Sequence, residues 1–126
     1  YKDRMKFRLA ETYLLLAEAY LRQDMPDKAA DAVNEVRRRA KVSDVSDEEM
    51  TMDFLLDERI RELYGEESRR FTLIRTGKLL ERVRKYNPEA RDLIQDFHVL
   101  WPIPQAIRDA NVGNFPQNPG YEGYEG

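Results

Sequence analysis

Cysteine is absent from the 126 residues, which excludes disulfides, thiol nucleophiles and thiolate metal sites but identifies no compartment. Histidine occurs once, at His98, and tryptophan once, at Trp101. No serine or cysteine motif accompanies His98, so a catalytic triad has nothing to stand on. Between Phe97 and Val99 it reads as a strand or loop residue rather than a general base. A Gly-rich phosphate loop is missing, since Gly65 and Gly77 are isolated and neither precedes the required lysine and hydroxyl. No apolar run approaches the roughly 20 residues of a membrane-spanning helix. No signal peptide is visible, and the sequence opens inside the charged run Tyr1-Lys2-Asp3-Arg4. Either a cytosolic chain or a fragment whose targeting signal lay upstream is expected.

Charge of one sign is lacking too. Lys and Arg number 21 against 24 Asp and Glu, a net charge of -3, and the signs are interleaved, so no basic face for nucleic acid is expected. Arg37, Arg38 and Arg39 form the only triple basic run. They read as a solvated helix face with one packed stem, not as a phosphate site. What remains is a globular composition, 41% hydrophobic and 36% charged, long enough for a core that needs no metal or disulfide.

Apolar periodicity predicts an all-α fold in one helical domain, residues 1–126. A first helix is expected from about Asp3 to Gln23, with Phe7, Ala10, Tyr13, Leu14, Ala17 and Leu21 inward. Asp24-Met25-Pro26-Asp27 is a turn, with Pro26 at the first position of a helix reaching about Ala40. Tyr13, Leu16, Ala17, Tyr20, Ala29 and Val33 fall at the mutual spacings of a tetratricopeptide helix pair, residues 1–41, although Val36 and Lys41 depart from that pattern. One such pair cannot bury both its faces, so neighbouring helices must cover it. Further helices are expected over 48–86. One, from Glu48 to Tyr64, would be capped by Ser46 or Asp47 and bury Met52, Leu55, Leu56, Ile60 and Leu63. Another, from Ser68 to Tyr86, would bury Phe71, Leu73, Ile74, Leu79, Leu80 and Val83, bend or break at Gly77 and stop at Asn87-Pro88. Residues 97–121 form a proline-rich strap and loop. In it Phe97 to Trp101 is extended, Gln105 to Asn111 is a short helix, and Tyr121 to Gly126 is mobile.

The densest polar cluster is Glu58, Arg59, Glu62, Glu66 and Arg69. Glu58 and Glu62 stand one helical turn apart, a spacing compatible with acid–base catalysis or a metal site. The interleaved arginines and the want of a suitably placed histidine favour structural ion pairing. Trp101 has the chemistry to stack on a sugar ring, but its setting favours a rigid apolar strap lying across the helices. Its removal is then expected to cost roughly 2–4 kcal/mol. The seven tyrosines share no spacing that makes a platform.

Three blocks, in order, resemble the SusD/RagB family. The first is Phe7 to Ala19 with its Ala17-Glu18-Ala19 ending, followed by Asn34-Glu35-Val36-Arg37-Arg38-Arg39-Ala40. The second runs from Asp57-Glu58-Arg59-Ile60-Arg61-Glu62-Leu63 through Ser68-Arg69-Arg70 to Gly77, departing from the family pattern at Gly65, Glu67 and Thr72. The third is Pro102-Ile103-Pro104 with Gln117-Asn118-Pro119-Gly120-Tyr121, where Ala106 replaces a common glutamate. The resemblance implies the C-terminal portion of a longer, non-catalytic outer-membrane lipoprotein, surface-exposed and held by an upstream lipid anchor. Such a protein binds a glycan or peptide nutrient, mainly through parts outside this segment, and works with a TonB-dependent SusC-like transporter. This segment then acts as a helical scaffold. No catalytic, metal or cofactor residue is expected, and no ligand-binding residue is assigned. The rival reading is a free-standing tetratricopeptide-like adaptor for protein–protein interaction.

Overall fold

The computed structural model describes residues 7–113 and 115–124. Among them are six α-helices and one 3-10 turn, with no strand, an all-α fold as the periodicity predicts. The chain forms two compact units, residues 1–67 and 68–126.

The first unit holds α1 (Leu9–Leu21), α2 (Pro26–Arg39) and α3 (Met52–Glu62). Its core joins Leu14, Ala17, Ala29, Val33, Val36, Leu55 and Leu63, and the alanines let α1 approach α2 closely. α1 starts later than expected because Arg8 is extended. The predicted start at Asp3 lies outside the described residues, and Phe7, expected inside, is exposed. Asp24 ends the helix turn with a left-handed φ of 58°, which aspartate tolerates, and Pro26 opens α2 as read.

The buried Asn34 fixes the 41–50 loop. Its Nδ2 donates to Val45 O at 3.0 Å and its Oδ1 accepts from Val45 N at 2.8 Å, copying the pairing of two strands. Ser46 and Glu49 do exchange hydrogen bonds, but they close a single turn. The cap of α3 is Thr51, whose Oγ1 accepts from Phe54 N at 3.1 Å. α3 also presents a different face than its apolar spacing implies: Ile60 is 42% exposed, while Arg59 is buried to 1%.

The second unit holds α4 (Arg69–Arg75), α5 (Leu79–Tyr86) and α6 (Gln105–Asp109). Gly77 breaks the expected long helix, one of the two outcomes its position allowed. Its φ of 70° lets Lys78 N reach back to Leu73 O at 2.8 Å, a closure that glycine makes easily. Leu73 and Leu79 are buried, but Phe71 is exposed. α5 stops before Asn87-Pro88, and Asn87 Oδ1 caps the next turn from Glu89 N and Ala90 N. The extended piece expected from Phe97 to Trp101 is in part a 3-10 turn, which spans Asp96–Val99. The cause is local: Gln95 N donates to His98 Nδ1 at 2.8 Å while the Gln95 side chain accepts in return from the His98 backbone.

Candidate functional site

In the first unit, the cluster singled out by sequence is a set of compensated charges. Glu58 Oε2 accepts from Arg37 Nη1 and Arg61 Nη1, each at 2.8 Å. Glu62 meets Arg8 Nη1 at 2.8 Å and Arg39 Nη2 at 2.6 Å, and Arg8 also donates to the Glu62 carbonyl. Arg8 Nε reaches Glu66 at 2.6 Å. Hydrogen bonds to Glu66 and then Glu62 raise the Arg8 pKa above its ordinary value, so it stays charged wherever the protein is folded. Each of these three carboxylates is thereby paired with at least one guanidinium group.

Arg59 is the deepest member. Its Nε donates to Glu67 Oε1 at 2.6 Å, and Nη2 contacts the same oxygen. Glu67 stands where the resembled family has glycine, and this pair accounts for the departure. Gly65, the neighbouring departure, supplies a φ of 75° that turns the chain so that Glu67 faces back to α3. Arg69, the fifth member, belongs to the second unit. Arg37 and Arg39 point at Glu58 and Glu62, and Arg38 pairs with Asp44 at 2.6 Å, so the basic run is committed to carboxylates.

In the second unit, side chains near the C-terminus bond to the main chain of the proline-rich stretch. The buried Gln117 repeats what Asn34 does: its Oε1 accepts from Ile103 N at 2.7 Å and its Nε2 donates to Ile103 O at 3.0 Å. Asn118 Nδ2 donates to Trp101 O at 2.7 Å and Tyr121 OH to Leu100 O at 2.9 Å. Tyr121 also meets the Phe97 ring edge-on at 5.0 Å, so it is held, not mobile as expected; Glu125 and Gly126 lie outside the described residues. Gly120 has φ 86°, and a Cβ there would run into the Phe97 ring. The Gln-Asn-Pro-Gly-Tyr segment is therefore a clasp that reads the main chain of the Pro-Ile-Pro segment.

Trp101 corrects an expectation. Its side chain is not buried under the strap but 54% exposed, because α4 offers it a cation rather than an apolar seat: the Arg70 guanidinium lies 4.2 Å from the ring centroid. Arg70 Nη2 also donates to His98 O, with Leu100 O at 3.5 Å. Arg70 and His98 line a cavity of about 380 Å³ beside α5. Sequence reasoning named Arg70 only within a motif and had no signal for this cavity. Among the described residues, no group of three or more His, Asp or Glu side chains is placed to hold a metal ion. No helix there is long and apolar enough to cross a membrane.

Packed helices, carboxylates paired with arginines and a C-terminal clasp define an all-α module. The model of the SusD family matches residues 2–121, and the chain belongs to that family. It is 36% identical over 113 residues to the SusD-like protein P25 of Formosa agariphila, covering 81% of this chain and 21% of that protein. It is 35% identical over 125 residues to the starch-binding protein SusD of Bacteroides thetaiotaomicron, covering 92% of this chain and 21% of that one. A further relative, the SusD-like protein P38 of Formosa agariphila, is 32% identical over 108 residues, covering 77% and 20%. The chain thus spans about a fifth of the length of the curated relatives it matches. No match was found among solved structures.

Proposed function

We propose that this chain is a helical scaffold, the C-terminal portion of a non-catalytic nutrient-binding lipoprotein on the bacterial outer-membrane surface. The intact protein captures a glycan or peptide and passes it to a TonB-dependent SusC-like transporter, with a lipid anchor upstream. One observation carries the scaffold role. α1 buries Leu14 and Ala17 on one side, yet Leu9, Leu15 and Leu16 on the other are 69%, 43% and 41% exposed. Leucines left on the outward side of a helix whose other side is already packed call for neighbouring structure to cover them. The tetratricopeptide-like reading of α1 and α2 supplies the reason, since such pairs stack on neighbours through both faces. Family membership over residues 2–121 favours this over a free-standing adaptor.

The test uses the intact protein in its native cells. Surface labelling should reach it, globomycin should block its maturation, and deleting its gene should abolish growth on one polysaccharide or peptide source. Recovery from the cytosol without lipid would end the proposal. So would glycan or peptide hydrolysis that Glu58→Gln abolishes while the fold is intact.

A further inference from the structure

The cavity beside α5 has an unusual balance of chemistry. Its walls are aliphatic, from Leu79, Val83, Ala90 and Ile94, with Leu93 at an exposed rim. Its polar lining residues are Arg70, His98 and Asn87, and among the described residues no carboxylate lines it. Each of the three has donors to give. Nδ1 of His98 accepts from Gln95 N, which places the neutral ring's proton on Nε2. Oδ1 of Asn87 is engaged by Glu89 N and Ala90 N, which leaves the amide Nδ2 hydrogens.

Arg70 differs from the arginines of the first unit. Arg8, Arg37, Arg39 and Arg59 each meet a glutamate. The described residues give Arg70 two main-chain carbonyls and the Trp101 ring; its Nε, closed off from solvent, has no acceptor. A half-buried guanidinium whose plane is fixed by stacking, and whose charge meets no carboxylate among the described residues, is preorganised for an incoming one.

We propose that this cavity binds the C-terminal end of a peptide whose last residue is leucine or isoleucine. The terminal carboxylate sits on Arg70, the branched side chain lies among Leu79, Val83 and Ile94, and Asn87 donates to the preceding peptide carbonyl. The volume of about 380 Å³ holds one to two residues, and the all-donor polar set matches the acceptors of a peptide end. Aliphatic walls fit a branched side chain better than the hydroxyl-covered rim of a sugar. The inference rests on the nutrient-binding reading for its biological use, naming a peptide as cargo. The binding itself is independent of surface location and transporter.

Calorimetry on the intact protein decides it, with acetyl-alanyl-leucine as the probe and its C-terminal amide as the control. The acid should bind at least about tenfold more tightly than the amide, the change expected for one charge-assisted hydrogen-bond pair. Arg70→Gln should erase that preference. Chemical-shift changes should concentrate in residues 70–98. Equal binding of acid and amide, or no saturable binding of either, overturns the proposal without mutation. Free 4-methylpentanoate binding as tightly as the peptide overturns the peptide assignment. None of these outcomes bears on surface labelling or growth, so failure here is distinct from failure of the broader role.

Discussion

The two units reach order by different routes. The first closes around apolar side chains, with Leu14, Ala17, Ala29, Val33, Leu55 and Leu56 fully buried. In the second, the buried apolar residues are Leu73 and Leu79, and its long tail is tied by side chains that bond to main chain: Gln117, Asn118, Tyr121 and Arg70. Apolar burial is non-directional and tolerates small shifts, whereas a hydrogen-bonded clasp demands register. The lesson is that one chain can combine a unit defined by volume with a unit defined by geometry. Asn34 and Gln117 sharpen it, because the same carboxamide device sits behind a filled core in one unit and replaces a core in the other.

Several substitutions can break or refine that contrast. The largest effect is expected from Arg59→Ala, about 3–5 kcal/mol by chemical denaturation, since it strips Glu67 of a buried charge partner. Leu55→Ala should follow at about 3 kcal/mol, a cavity in the first unit, read by hydrogen exchange of α1 and α3 amides. A larger loss of protection in residues 96–121 than in α1 would refute the division of labour. Gly120→Ala should cost roughly 2–4 kcal/mol, from its positive φ and from the Phe97 ring, and should expose the Tyr121 hydroxyl to fast exchange. Gln117→Ala should cost about 1–3 kcal/mol and speed exchange at the Ile103 amide, while Asn34→Ala should speed the Val45 amide and leave the helices protected. Trp101→Ala should cost only about 1 kcal/mol, the scale of an exposed cation–π contact, against the 2–4 kcal/mol expected of a buried strap.

Helix positions were legible because period and punctuation agreed: Pro26 opened α2, Gly77 ended α4, and Asn87-Pro88 ended α5. Starts were less so. The Ser46–Glu49 pair has the residues of a capping box, but nothing in the sequence distinguishes one that caps a helix from one that closes a turn; Thr51 takes the role. The exchange of Ile60 for Arg59 on the inner face was hidden because full burial of this arginine is compensated by Glu67, which comes from beyond the helix. The ion pairs of Glu58 and Glu62 were foreseeable from interleaved charge. The donor set of Arg70, His98 and Asn87 was not, since those residues are scattered along the chain and only the turn at 95–98 brings them to one cavity.

The clasp also imposes an order of events. Ile103 emerges from the ribosome well before Gln117, the residue that completes its pairing. Until Gln117 emerges, the backbone amide and carbonyl of Ile103 can be satisfied only by water, and Leu100 and Trp101 have carbonyls waiting for Tyr121 and Asn118. The second unit therefore finishes late in synthesis. A chain stopped at residue 116 would carry folded helices but an open strap, a state that proteases attacking loose segments can distinguish from the finished molecule.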